Sequence, residues 1–209
     1  MGYYGGPIPK PPRPKTFRPS SRSNDPLDKA ALLADDAHAM AGQMYGRMPY
    51  IHHLRQVVAI LYEYGYKDDE TIQAGYLHDT LEDTSLTMDD LLDRGFSPAV
   101  VRAVCFCTDE EGRNRKTRKA ATYKRMIKEI TTYPDDPEVH RAVRVKLADR
   151  LANIRNCIAN FNEGLFKMYK GEEATFAQAL RYPGIADEMW AEYDRLMEEG
   201  MGSSVTILE

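Results

Sequence analysis

Three times along this chain a side chain that caps helices is followed at once by proline: Asp25-Pro26, Ser97-Pro98 and Asp136-Pro137. Proline brings no backbone N–H and a φ already suited to the first helical position, while the residue before it can accept from the unbonded amides of the first turn. Apolar residues at helical spacing follow. Val100, Val101 and Val104 come after the second pair, and Val143, Leu147, Leu151, Ile154 and Ile158 form a ridge after the third. Between the first two, Ile51, Leu54, Val57, Val58, Leu61 and Tyr62 keep the same period and stop at Gly65; Asp68 can cap the next helix, and Thr87 caps a short one that ends at Gly95. Stretches from Phe166 to Leu180 and from Ile185 to Met197 complete the series. Only Ser204 to Leu208 look strand-like, and the chain shows neither a repeat nor an alternating strand series. These patterns restrict it to an all-α fold, a single helical bundle.

A length of 209 residues, 43% hydrophobic and 29% charged, suits one domain with its own core. We expect it over residues 26–200, after a flexible Pro/Arg-rich arm (1–25) and before a tail (201–209). The arm's Lys10, Arg13, Lys15, Arg18 and Arg22 read as a solubilising tail. A formal charge of -4 gives no overall attraction to nucleic acid or an anionic membrane, so no stable nucleic-acid partner is expected and any anion needs local positive charge. No stretch approaches the roughly 20 apolar residues of a membrane span, and the N-terminus lacks the apolar run of a secretory signal, which points to the cytoplasm. Cys105, Cys107 and Cys157 are an odd number without a second Cys pair, so they read as reduced, buried thiols.

Chemistry concentrates in Leu77-His78-Asp79-Thr80-Leu81-Glu82-Asp83-Thr84. An imidazole beside a carboxylate, with two more carboxylates one turn later, is costly to bury unless a cation neutralises the group. If the turn stays helical, His78 shares a face with Glu82 and Asp79 with Asp83. Two other segments can contribute. Pro49-Tyr50-Ile51-His52-His53 sets two imidazoles at the mouth of an apolar helix, and their spacing does not say which of them points inward. Asp149, Asn153 and Asn156 form a polar stripe on an otherwise apolar helix. Imidazole nitrogens with carboxylate oxygens suit Mn²⁺, Fe²⁺, Co²⁺ or Zn²⁺. His38 and His140, on surface-like stretches, are read as ordinary.

The blocks PYIHH (49–53), LHDTLEDT (77–84), CTDE (107–110) and VKLADRLANIRN (145–156) resemble, in order and spacing, the HD-domain metal-dependent phosphohydrolases. Within these the chain is most similar to the RelA/SpoT-type alarmone hydrolases, including their small single-domain versions. The resemblance implies His53, His78, Asp79 and Asp149 as metal ligands, and Glu82 with Asp83 as the pair orienting the nucleophilic water. Asn153 matches the family's substrate-contacting asparagine, and Lys146 and Arg150 its basic positions there. The implied reaction is Mn²⁺-assisted release of pyrophosphate from the 3′ position of guanosine tetra- or pentaphosphate.

Two departures stand out. Leu54 replaces the family's proline after the ligand histidine, and Gln43 to Met48 offer Arg47 alone where the alarmone hydrolases carry a basic Arg-Lys loop. A dense basic run, Arg113 to Lys119, follows the CTDE block, so Arg115, Lys116, Arg118 and Lys119 join Arg47 as candidate phosphate contacts. Tyr45 and Tyr123 are the aromatic candidates for a base. The alternatives are an HD-type nucleotidase or phosphatase acting on another phosphorylated nucleotide or cofactor, and a non-catalytic nucleotide- or nucleic-acid-binding module. A homo-oligomer is compatible with all of them.

Overall fold

The computed structural model describes residues 25–202. The expected arm, apart from Asp25, and the strand-like segment 204–208 lie outside the described residues. Ten α-helices make up the rest: α1 (Pro26–Met40), α2 (Ile51–Glu63), α3 (Asp69–Leu77), α4 (Thr80–Asp83), α5 (Met88–Asp93), α6 (Pro98–Cys107), α7 (Arg115–Thr132), α8 (Pro137–Ala159), α9 (Glu163–Leu180) and α10 (Asp187–Glu199). A 3₁₀ turn, Gly200–Gly202, closes the described chain. All three proline-led starts are capped as their chemistry requires: Asp25 accepts from the Leu27 amide, Ser97 from Val100 and Asp136 from Glu138.

Two elements were not anticipated. One is α7, whose first turns carry the basic run; a capping box between Asn114 and Thr117 starts it. The other is a two-residue hairpin, β1 (Met44–Tyr45) with antiparallel β2 (Met48–Pro49), turning at Gly46 with φ 63°. No alternation can announce strands so short.

The long helix α8 is the axis of the bundle, packed by α2, α3, α6, α9 and α10. Its Val143, Leu147, Leu151 and Ile154 are fully buried among Leu54, Leu61, Ile72 and Val104. Against this wall α3 lies close to α2 because Gly75 has no side chain: a Cβ there would stand 2.9 Å from Leu61 Cδ1 and 3.1 Å from Val58 Cγ2. That closeness matters because α3 leads straight into His78, and α2 begins two residues before His53. None of the described helices is long and apolar enough to cross a membrane.

Candidate metal centre

Helix α3 stops at Leu77, and the chain bends through His78 and Asp79 before α4 restarts at Thr80. The helix is thus interrupted at His78 and Asp79. Two hydroxyls brace the bend: Thr80 Oγ1 donates to the Leu77 carbonyl at 2.7 Å, and Thr84 Oγ1 to that of Thr80 at 2.6 Å. The Asp79 carbonyl in turn accepts from the Glu82 and Asp83 amides. The His78 ring donates from Nδ1 to the Gly75 carbonyl at 2.9 Å, which leaves Nε2 as the bare nitrogen facing the site.

Three segments converge there. His53 Nε2 lies 3.3 Å from Asp149 Oδ1 and 3.7 Å from Asp79 Oδ2, while His78 Nε2 lies 3.0 Å from Asp79 Oδ2 and 3.7 Å from Asp149 Oδ1. His53, His78 and Asp149 each offer a ligand atom within 4.8 Å of the others, and Asp79 adjoins from the His78 side. His53 is buried within the cluster, and His52 stands outside it.

The donor set fits a divalent ion. Bonds of about 2.0–2.2 Å to nitrogen and oxygen place adjacent donors roughly 3 Å apart, close to the separations seen. His78 Nε2 is buried with no hydrogen-bond partner although Asp79 is within reach, so the atom is aimed into the cage and unsatisfied by it. Charge says the same. Although burial opposes protonation of His78, Asp79 and Asp149 push it up to about 10. Asp149, despite its burial, is held well below the usual carboxylate range by Lys146 and the two imidazoles, and Asp79 by His78. The cage thus takes a proton where a cation would sit.

A pH signature follows. His78 in the folded, metal-free protein titrates above its unfolded value of 6.5, so its stabilisation is complete below pH 6.5 and is lost as pH rises toward 10. At pH 7.5 metal must displace that proton. Calorimetry in buffers of different ionisation enthalpy should register about one proton released per ion bound. Uptake of Mn²⁺ with no release would contradict the placement of His78.

Around the cage stand residues that hold its side chains in place. Asn153 Nδ2 donates to Asp149 Oδ1 at 2.7 Å, and Lys146 Nζ lies 3.5 Å from Oδ2 while donating to the Cys107 carbonyl. Tyr50, quoted in the PYIHH block without a role, donates its hydroxyl to Asp79 Oδ2 at 2.5 Å. His38 stacks on the Tyr50 ring with centroids 4.2 Å apart. Its expected place on a surface is corrected here: the side chain is fully buried, neither nitrogen has a partner, and burial lowers it to about 4. Tyr50→Phe is expected to weaken metal binding about 10–100-fold in a chelator competition, as loss of an outer partner does elsewhere; unchanged affinity would show that Asp79 needs no such anchor.

Glu82 and Asp83 follow His78 and Asp79 at a spacing of four residues. Burial and then the neighbouring Asp109 raise Glu82, while burial with the Asp79 and Glu82 charges pushes Asp83 up to about 7. Glu82 Oε2 accepts the Asp109 amide at 3.1 Å, a contact that sequence reasoning missed although it quoted the CTDE block.

The candidate substrate contacts separate into tied and untied groups. Glu172 on α9 binds Arg115 through both carboxylate oxygens and also takes Arg150, which is buried and donates to the Tyr123 hydroxyl. Lys119 pairs with Asp109 at 2.9 Å. Lys146 is buried against Asp149. Lys116 and Arg47 are exposed, the latter at the hairpin turn. Tyr45 tilts over the His53 ring at 4.8 Å and donates to Asn153 Oδ1 at 3.4 Å. Tyr123 on α7 is buried with its ring edge-on to Phe176 of α9.

Comparison with known proteins places this arrangement. The chain is 35% identical over 129 residues to the guanosine-3′,5′-bis(diphosphate) 3′-pyrophosphohydrolase of Aquifex aeolicus (strain VF5), covering 62% of this chain and 17% of that protein. It is 36% identical over 143 residues to a GTP pyrophosphokinase of Streptomyces antibioticus, covering 64% of this chain and 16% of that one. The match therefore spans about a sixth of these relatives' length. Among solved structures, one described as a metazoan ortholog of SpoT that hydrolyzes ppGpp superposes with a TM-score of 0.67 at 22% identity, covering 87% of this chain and 99% of the other. A protein of Listeria monocytogenes EGD-e gives 0.56 at 22% identity, covering 74% and 97%. The model of the HD domain family matches residues 30–178, which include all three segments of the cage, and this chain belongs to that family.

Proposed function

We propose that residues 26–200 form a metal-dependent phosphohydrolase domain acting on nucleotides, releasing pyrophosphate from the 3′ position of guanosine tetra- or pentaphosphate with Mn²⁺ as its ion. The observation that carries this is the buried cage, in which two imidazole nitrogens and two carboxylate oxygens meet at 3.0–3.7 Å with a second carboxylate pair beside them. An ion held by His53, His78, Asp79 and Asp149 would acidify a water and polarise a phosphoryl oxygen. Glu82 and Asp83, whose proton affinities burial has raised, would orient that water and accept its proton. Asn153, bound to Asp149 and to the Tyr45 hydroxyl, would meet the substrate by exchanging the Tyr45 contact. The 3′-pyrophosphohydrolase from Aquifex aeolicus among the relatives supports the same reaction.

Incubating the Mn²⁺-loaded protein with ppGpp and identifying the products tests the proposal. GDP and pyrophosphate are expected, and their absence rejects it. A second reading keeps the centre but changes the substrate, and the hairpin favours it: Met44 and Met48 are each about half exposed beside Tyr45, with Arg47 as the lone cation of that segment. A panel of phosphorylated nucleotides with products read by mass spectrometry separates the two, because the position of the bond cut differs.

A further inference from the structure

Of the basic run on α7, Arg115 and Lys119 are occupied by Glu172 and Asp109. Arg118 is not. It forms no ion pair with any described residue, and its Nε is buried without a hydrogen-bond partner. Arg118 lines a cleft of about 700 Å³ that opens beside Glu82, floored by Leu81, Leu86, Met88 and Phe106. It is close enough to Asp83 for its charge to act on that carboxylate.

The cleft's other arginines are committed elsewhere. Arg102 is held by Glu129, Asp136 and Glu138, and Arg125 by Glu110 and the Phe106 and Thr108 carbonyls. The remaining charged groups on its walls, Glu82, Asp109, Glu110, Glu111 and Glu129, are acidic, Asp109 being paired with Lys119. Among the lining arginines Arg118 is therefore the one left for a phosphate, and a longer polyanion running down the cleft would be repelled.

We infer that Arg118, at the Glu82 end of this cleft, is the subsite for the diphosphate that the reaction releases, while the nucleoside lies on the opposite, Tyr45 side of the centre. The inference rests on the pyrophosphohydrolase reading. In that reaction a water oxygen bonds to the phosphorus attached at the 3′ position. The P–O3′ bond breaks with its electron pair on the ribose oxygen, which takes up a proton, giving GDP and pyrophosphate. Attack and departure are in line. Because Glu82 and Asp83 hold the water, O3′ leaves away from them, carrying the nucleoside toward Tyr45 and Asn153. The distal phosphate lies off that axis, where the one unpaired guanidinium beside Asp83 can meet it as a two-pronged donor.

Calorimetric binding of inorganic pyrophosphate and of GDP to the Mn²⁺-loaded full chain tests this without depending on ppGpp turnover. Arg118→Gln should weaken pyrophosphate about tenfold, the worth of one charge-assisted contact, and leave GDP within about twofold; Arg118→Lys should recover part of the loss. Tyr45→Ala should do the reverse, weakening GDP and sparing pyrophosphate. Unaltered pyrophosphate binding in Arg118→Gln, or equal loss for both ligands, overturns the subsite. Failure of the wild type to hydrolyse ppGpp, by contrast, would strike the reaction assigned above and is read in its own assay.

Discussion

Asp149→Asn is expected to abolish Mn²⁺ retention and to lower hydrolysis by at least about 10³-fold, the several kcal/mol that a metal contributes to such a transition state. Asp149 Oδ1 lies nearer His53 Nε2 than Asp79 Oδ2 does, and among the described residues α8 supplies no other candidate ligand to the cage. The isosteric amide keeps shape and removes charge. It also strips Lys146 of its carboxylate, and a buried ammonium left with only the Cys107 carbonyl should lower the melting temperature. Asp149→Ala would lose the Asn153 contact as well, so the asparagine variant gives the sharper reading. Retention of a full equivalent of metal would refute the role of α8.

The second large effect belongs to Glu82 and Asp83. Replacing either by its amide should lower kcat by about 10²–10⁴-fold, the range for a positioned general base, while leaving bound metal near its wild-type content. Thermal stability should not fall at neutral pH. Burial pushes both carboxylates up, joined by the Asp109 charge at Glu82 and by the Asp79 and Glu82 charges at Asp83, so removing a charge relieves repulsion in the metal-free protein. Metal analysis of the purified variants separates the roles: loss of the ion from Glu82→Gln would make Glu82 a ligand and contradict the division drawn here.

How far the sequence alone went depends on the range over which each signal acts. The proline-led helix starts were readable because capping is decided within four residues, and all three caps form as their chemistry dictates. Ordered His-Asp blocks pointed to the cage because burying imidazoles beside carboxylates without a cation is costly. What could not be read is which polar side chains find one another across the bundle. Arg115 and Arg150 looked like free cations, yet Glu172, about twenty residues beyond Arg150, holds both. His38 looked like a surface residue because its neighbours Asp35 and Asp36 are polar; its burial comes from Tyr50, which stacks on it after the hairpin turns the chain back. Helix α7 was obscured by its own charge, since an N-terminal half rich in arginine and lysine has little apolar period until Tyr123, Met126 and Ile130.

The central claim is that His53, His78, Asp79 and Asp149 grip one divalent ion. Anomalous diffraction from crystals of the Mn²⁺-loaded protein tests it most directly. A single peak bonded at about 2.0–2.3 Å to both Nε2 atoms, Asp79 Oδ2 and Asp149 Oδ1 is the predicted result. No peak in the cage, or an ion bound elsewhere with Asp149 turned away from the two imidazoles, would contradict it.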